Sequence, residues 1–412
     1  MYDPAKKAER CAVLSSCCGV TGEAALTDSA VILLFAASLG SGDALGLFSM
    51  AVLPLLNGLL ILPWATLSIR FGSRSLVLGA NMLALAGYFA AAAAPWAGKY
   101  APWVLIGGIL LFSICQSGFV AGWFPFIDGF LPPERRSLFL GRMRFFHQLS
   151  AVAFLWAASR FVGENPAVWT LQIVLFVSGV IFAGRILFIK LIPVFPEKER
   201  KTISLKHGLQ KAFRNRPLKL FSLYTFFLNF SVFAVTGIIL LELKSRCNVP
   251  ENKIMLISGV IITGLATGYA VAPRLEKYMS KHSVLLLNHI LAFLSLVMLL
   301  LIRPGSGLAI GVVTVLLMII NFVIGAVSVT GASVMMSLAN ADNKSIAMAF
   351  WGCFYAFGSG ISRLISSLFL RQADDVSKGF FLIFPATAVV ALFFLLKSRK
   401  VADKKNIVAL LK

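Results

Sequence analysis

Apolar runs of about twenty residues recur along this chain of 412 residues, separated by short polar gaps. An α-helix rises 1.5 Å per residue, so about 20 apolar residues cross the roughly 30 Å of a bilayer's hydrocarbon. Cutting the chain wherever charge, proline or clustered glycine interrupts a run of that length predicts twelve helices. In the first half they cover about 11–38, 44–68, 75–95, 102–130, 143–162 and 169–192. In the second they cover about 220–242, 254–273, 283–302, 307–336, 345–370 and 378–396. The stretch between the halves, PEKERKTISLKHGLQKAFRNRPLK, is too polar to cross. The expected fold class is an all-α polytopic membrane protein of two six-helix bundles, residues 1–193 and 220–412, joined by a basic linker over 194–219 and ending in a short basic tail.

Composition agrees with the pattern. The chain is 58% hydrophobic and 13% charged, against about 25% charged in a soluble domain. A net charge of +21 would suggest nucleic acid in a soluble chain, but the bases here sit in the gaps between apolar runs. They point to a membrane surface, and no nucleic-acid partner is expected. Alternating the loops between two sides gathers Lys6, Lys7, Arg10, Arg70, Arg74, Arg135, Arg136, Arg142 and Arg144 on one of them. The linker bases Lys198, Arg200, Lys201, Lys206, Lys211, Arg214, Arg216 and Lys219 fall there too, as does the tail from Lys397. The opposite loops are poorer, with Lys99 and Arg303 each alone in its own loop. The positive-inside tendency makes the rich side cytoplasmic, with both termini inside a cytoplasmic membrane and anionic lipid at that face. Trp96, Trp103 and Trp169 then lie near the outer boundary. The basic start MYDPAKKAER runs into an apolar segment without a clear cleavage site, so no cleaved signal is expected. Six cysteines lie mostly inside apolar runs without metal-ligand spacing, and neither a metal nor a cofactor is expected.

The two halves repeat. Arg70-Phe71-Gly72-Ser73-Arg74-Ser75-Leu76-Val77-Leu78 aligns with Lys277-Tyr278-Met279-Ser280-Lys281-His282-Ser283-Val284-Leu285, base on base and aromatic on aromatic, at an offset of 207. Arg136-Ser137-Leu138 matches Lys344-Ser345-Ile346 at 208. The bundles are therefore expected to be pseudo-symmetric.

Twelve helices in two repeated halves, a basic middle loop and a signature between helices two and three resemble the major facilitator superfamily over essentially the whole chain. The family signature reads glycine, any, leucine, any, aspartate, arginine, any, glycine and two bases. Here Leu67, Arg70, Gly72 and Arg74 match, Ala65 stands for the first glycine, and Ile69 stands where the acid belongs. At offset 207 Ile69 maps onto Glu276, so the second copy keeps the acid and base as Glu276-Lys277. The resemblance implies that helix eight packs beside helix five, which makes Arg142 and Arg144 expected partners of Glu276 in a cytoplasmic gate. Arg70, Gly72, Arg74, Glu276, Lys277 and Lys281 complete that gate; a plain anchored turn is the alternative. Helix four keeps the glutamine of proton-coupled members at Gln116 but lacks their basic residue, and helix five lacks the Gly-Pro pattern of drug exchangers.

Charges at membrane depth are costly and mark functional candidates. Counting from Arg10 puts Glu23 about 20 Å in, near mid-membrane, and Asp28 about 27 Å in. Five residues correspond to about 140° around a helix, so the two acids face different ways. Gly19, Glu23 and Thr27 form a small or polar stripe, and Gly19 and Gly22 would let the first helix bend. Glu23 either binds solute or a proton in a cavity or belongs to a structural ion pair. Arg363 lies near the height of Glu23, which suggests a pair, unless it turns to water. Arg160 either snorkels or meets Asp28. Gln116, Asn229, Asn321 and Asn57 are uncharged candidates for ligand contact or for helix-to-helix hydrogen bonds; in the resembled fold helices one, four, seven and ten line the cavity. Phe226, Phe227, Phe230 and Phe233 read as packing, and none of His147, His207, His282 and His289 reads as a deep proton relay.

The expected function is a transporter of a small solute, a monomer working by alternating access, with the proton as a possible coupling ion and facilitated diffusion as the other option. A sensor with the same fold and a membrane-embedded enzyme are the rivals. No catalytic or phosphate-binding constellation is present in the sequence, and the tail is too short for an appended soluble domain.

Overall fold

A computed structural model describes residues 3–40, 42–131, 136–195, 205–302, 307–338, 344–372 and 381–410. The loop charges Arg135, Lys198, Arg200, Lys201 and Arg303 lie outside the described residues. The chain begins its first helix, α1 (Pro4–Thr27), earlier than hydropathy predicts, because Asp3 accepts from the backbone N–H groups of Ala5 and Lys6 and Pro4 needs no partner there. α1 stops at Asp28, and α2 (Ala30–Ser38) carries the first span onward.

The break has a local cause. Ser29 is extended, with its Oγ accepting from Val31 N–H, so a cap replaces a helical turn in the middle of the span. Gly19 and Gly22, the expected bend points, remain helical. A Cβ on Gly19 would fall 1.5 Å from Arg185 Nε, so its lack of a side chain serves close approach rather than bending.

The remaining helices are α3 (Gly42–Phe71), α4 (Ser73–Ala92), α5 (Ala101–Ile127), α6 (Arg136–Val162), α7 (Val168–Leu191), α8 (Leu205–Arg214) and α9 (Arg216–Ser245). They are followed by α10 (Glu251–Leu275), α11 (Lys281–Leu301), α12 (Gly307–Leu338), α13 (Lys344–Gln372) and α14 (Ile383–Leu410). Gly72, at φ 82°, makes the turn from α3 to α4 that a side chain would strain. Among the described residues ten segments are long and apolar enough to span a membrane, with α1 and α2 counted together. The two other expected spans fall on α6, which carries Arg142, Arg144 and Arg160, and on α14, whose apolar part ends at Lys397. α8 is a helix that hydropathy did not predict: ten residues in the linker, with Ala212 buried and Lys211 and Arg214 exposed.

Helices up to α7 pack on one another through α4–α5, α1–α7, α3–α5 and α1–α6. Those from α9 on pack through α10–α12, α9–α13, α9–α14 and α11–α12. Two long seams join the groups, α3 against α13 and α6 against α10. The sequence repeat relates α3 to α10 and α6 to α13, so each seam is the image of the other. Chain direction places both termini and α8 at one end of the bundle, here the terminal end; the opposite one is the far end.

Candidate functional site

Two buried arginines organise the polar interior, and each holds a different carboxylate of the first span. Arg185 of α7 places Nη2 3.7 Å from Glu23 Oε2. Gln116 Nε2 of α5 donates to the same oxygen at 2.6 Å. The guanidinium lies 4.2 Å from the Phe119 ring centre and 5.1 Å from that of Phe182, across the surface that Gly19 leaves open. Its side chain is 2% exposed, while that of Glu23 is 30% exposed. Arg185 Nε and Nη1 and Gln116 Oε1 have no hydrogen-bond partner, so the cluster holds unused donors and an unused acceptor. The next residue of α5, Ser117, donates from its Oγ to Asn57 Oδ1 of α3 at 2.8 Å.

Arg363 of α13 reaches the break in the first span. Its Nη2 donates to Asp28 Oδ1, its Nη1 donates to Met50 O of α3 at 3.0 Å, and the Phe233 ring lies 5.3 Å from its charge. The Arg363 side chain is 7% exposed and that of Asp28 50%. The expected Glu23–Arg363 pair therefore does not form. Equal height along the membrane does not set rotation about the helix: Glu23 turns to α5 and α7, and Asp28 turns to α13. Arg160 does not meet Asp28 either; it lies 5.6 Å from the ring of Trp156 on its own helix.

Among the uncharged candidates, Thr27 bonds within its own helix, while Asn229 and Asn321 reach across to a neighbouring one. Thr27 Oγ1 donates to Glu23 O at 2.8 Å, and Asn229 Nδ2 of α9 donates to Tyr355 O of α13 at 3.1 Å. Asn321 Nδ2 reaches Thr236 Oγ1 at 3.3 Å and Leu317 O at 3.0 Å. A groove of about 610 Å³ between α1, α6 and α7, lined by Cys17, Thr21, Ser150 and Val177, holds none of the charged candidates.

Toward the far end, hydrogen bonds cross between the two groups of helices. Beside the two from Arg363, Ser367 Oγ donates to Ala44 O at 2.8 Å and Asn252 N–H to Gly163 O at 3.2 Å. At the terminal end Arg144 of α6 lies 5.6 Å from the Tyr269 ring of α10. Arg74 Nη2 donates to Lys190 O at 3.2 Å, and Arg70 lies 5.5 Å from the ring of Phe71. Arg142 and Lys277 are exposed, and Lys281 opens α11. Glu276 closes α10 with Oε1 buried and without a partner, so the expected pair with Arg142 or Arg144 does not form; Arg144 faces Tyr269 instead.

Arg185 carried no expectation from the sequence. The run IFAGRILFIK sets it six residues inside the end of α7, about 9 Å by helical rise. The rule that singled out Arg363 applies to it equally.

Two repeated helix groups joined by a pair of equivalent seams, with charged residues paired in the interior, define a membrane transport fold. The sequence profile of the Major Facilitator Superfamily matches residues 13–362, and the chain belongs to that family. It is a multi-pass membrane transporter and not an enzyme. The fold is similar to that of a mutant of the nucleoside transporter NupG, with TM-score 0.69 at 13% identity over 96% of this chain and 100% of that one. It is similar to FucP in the outward conformation, with TM-score 0.67 at 14% identity over 96% and 98%; FucP is elsewhere described as the E. coli fucose:proton symporter. A bacterial homologue of the iron transporter ferroportin, outward-facing with soaked iron, gives TM-score 0.65 at 14% identity over 97% and 100%. A search of curated proteins finds no match.

Proposed function

We propose that the chain moves a small polar solute by alternating access, as a monomer, with residues 1–193 rocking against 220–412 and the linker 194–219 tethering them. The terminal end, where the basic loops gather, faces the cytoplasm and its anionic lipid, and the far end faces out. The observation that carries this reading is the charge pair of Asp28 and Arg363 across the α3–α13 seam, at the break in the first span. It closes the far end in this conformation. When the terminal end closes instead, Glu276 has a buried oxygen free to take Arg142 or Arg144, and Arg70, Gly72, Arg74, Lys277 and Lys281 frame the two equivalent turns of that gate.

Glu23 is the group we assign to solute or proton binding. It is the partly exposed member of a buried cluster, and Arg185 and Gln116 hold it in place whichever end is open. Thr27, Asn229 and Asn321, now engaged in helix contacts, are supporting positions. The symporter and nucleoside transporter names of the fold neighbours favour a polar organic solute and a proton as coupling ion. In proteoliposomes carrying a pH gradient, Glu23→Gln is expected to abolish concentrative uptake while leaving solute exchange. Undiminished accumulation would remove Glu23 from coupling.

A further inference from the structure

Among the described residues three hydrogen bonds join α13 to α3 and to the α1–α2 break, and α13 is the donor in each. Ser367 Oγ donates to Ala44 O, Arg363 Nη1 to Met50 O and Arg363 Nη2 to the Asp28 carboxylate. Both acceptors of the guanidinium thus belong to the first bundle. Its Nε has no hydrogen-bond partner, and from its own bundle the ring of Phe233 lies 5.3 Å from the charge. An arginine does not shed its charge by losing a proton. Parting the α3–α13 seam therefore strips Arg363 of its carboxylate and its carbonyl in one movement. What remains is a planar fork of donors on α13, a serine hydroxyl one turn further along at Ser367, and the Phe233 ring of α9 beside the guanidinium. A buried guanidinium in that position needs an anion, and its fork matches the paired oxygens of a carboxylate or phosphate.

We propose, resting on the alternating-access reading above, that Arg363 exchanges Asp28 for the anionic group of the solute when the far end opens, so that the solute carries a carboxylate or a phosphate. Asp28 is then an internal competitor. A neutral solute cannot displace it, and an anion can; once the anion leaves, Asp28 returns and the seam closes. Half-exposure of the Asp28 side chain puts the exchange at the edge of accessible space. Arg185 cannot play this part, because its carboxylate partner Glu23 moves with it in the same bundle.

The test uses the full-length purified protein in detergent, with benzoate, inorganic phosphate and the neutral benzyl alcohol as probes and thermal unfolding as the readout of binding. Benzoate or phosphate is expected to stabilise the wild type, the responding probe identifying the solute's group. Asp28→Asn, which removes the competitor, should tighten that probe about tenfold, Arg363→Gln should abolish its effect, and benzyl alcohol should have none. Should Arg363→Gln fail to fold, Asp28→Asn and Arg363→Lys decide, the lysine keeping weakened anion binding. An anion response that persists in Arg363→Gln, no response to either anion in wild type and Asp28→Asn, or an equal response to benzyl alcohol would overturn the assignment. Spin labels at Phe161 and Leu368 separate this from failure of the transport reading. If the far-end distance changes during solute exchange and anions have no effect, only the Arg363 assignment falls; a distance fixed under every solute removes alternating access itself.

Discussion

Arg185 and Arg363 are both buried, both stacked on phenylalanine and both paired with an acid of the first span, yet the two pairs sit in opposite mechanical situations. Arg185 and Glu23 lie within one group of helices, so the pair survives any rigid movement of one group against the other. Arg363 and Asp28 belong to different groups, so the proposed rocking would make the pair in one arrangement and break it in the other. On the proposed mechanism the same chemistry is a fixed scaffold in the first case and a latch in the second. The difference comes from five residues of sequence: Glu23 lies within α1, while Asp28 is the non-helical residue that ends it, just before the Ser29 cap that starts α2.

This contrast can be broken at either pair. The largest effect on stability is expected from Glu23→Ala, which leaves Arg185 buried without a counter-charge and should cost about 3–5 kcal/mol, read as a fall in unfolding free energy in mild detergent. Gly19→Ala attacks the same pair from the other side. Its new Cβ meets the guanidinium at 1.5 Å, and the flexible end of Arg185 can shift only by leaving its place between Phe119 and Phe182, for a loss of about 1–3 kcal/mol. Neither change should alter which end is open. Ser367→Ala removes one hydrogen bond from the latch seam and should cost about 0.5–1 kcal/mol. Its effect should appear mainly as faster labelling of far-end residues rather than as a lower melting temperature.

The spans were legible because hydropathy at a twenty-residue scale is what the bilayer demands of a helix, and the repeat was legible in the two basic turns. Helix α8 was not, since ten amphipathic residues inside a basic linker carry no spanning signal. Glu23, Asp28 and Arg363 stood out as charges inside apolar runs, but their pairing did not follow from depth. Depth gives one coordinate, and contact also needs rotation about the helix and knowledge of which neighbour lies opposite. The break at Asp28–Ser29 was hidden for a related reason: glycines suggested bending at Gly19 and Gly22, while a serine cap did the breaking and the glycines made room for α7. Arg185 lies about 9 Å inside the end of α7, and nothing in the local run IFAGRILFIK shows which way it turns. Only the bare backbone of Gly19 lets it turn inward.

The central claim is that Asp28 and Arg363 hold the far end shut. Spin labels at Phe161 on α6 and Leu368 on α13, on a cysteine-free background in lipid nanodiscs, report the far-end distance with and without the pair. Asp28→Asn is expected to move the population toward the longer distance by about tenfold in the open-to-closed ratio, corresponding to about 1.4 kcal/mol, while Gln116→Ala in the fixed scaffold leaves it where it was. A distance distribution in Asp28→Asn that superposes on the wild type would contradict the account.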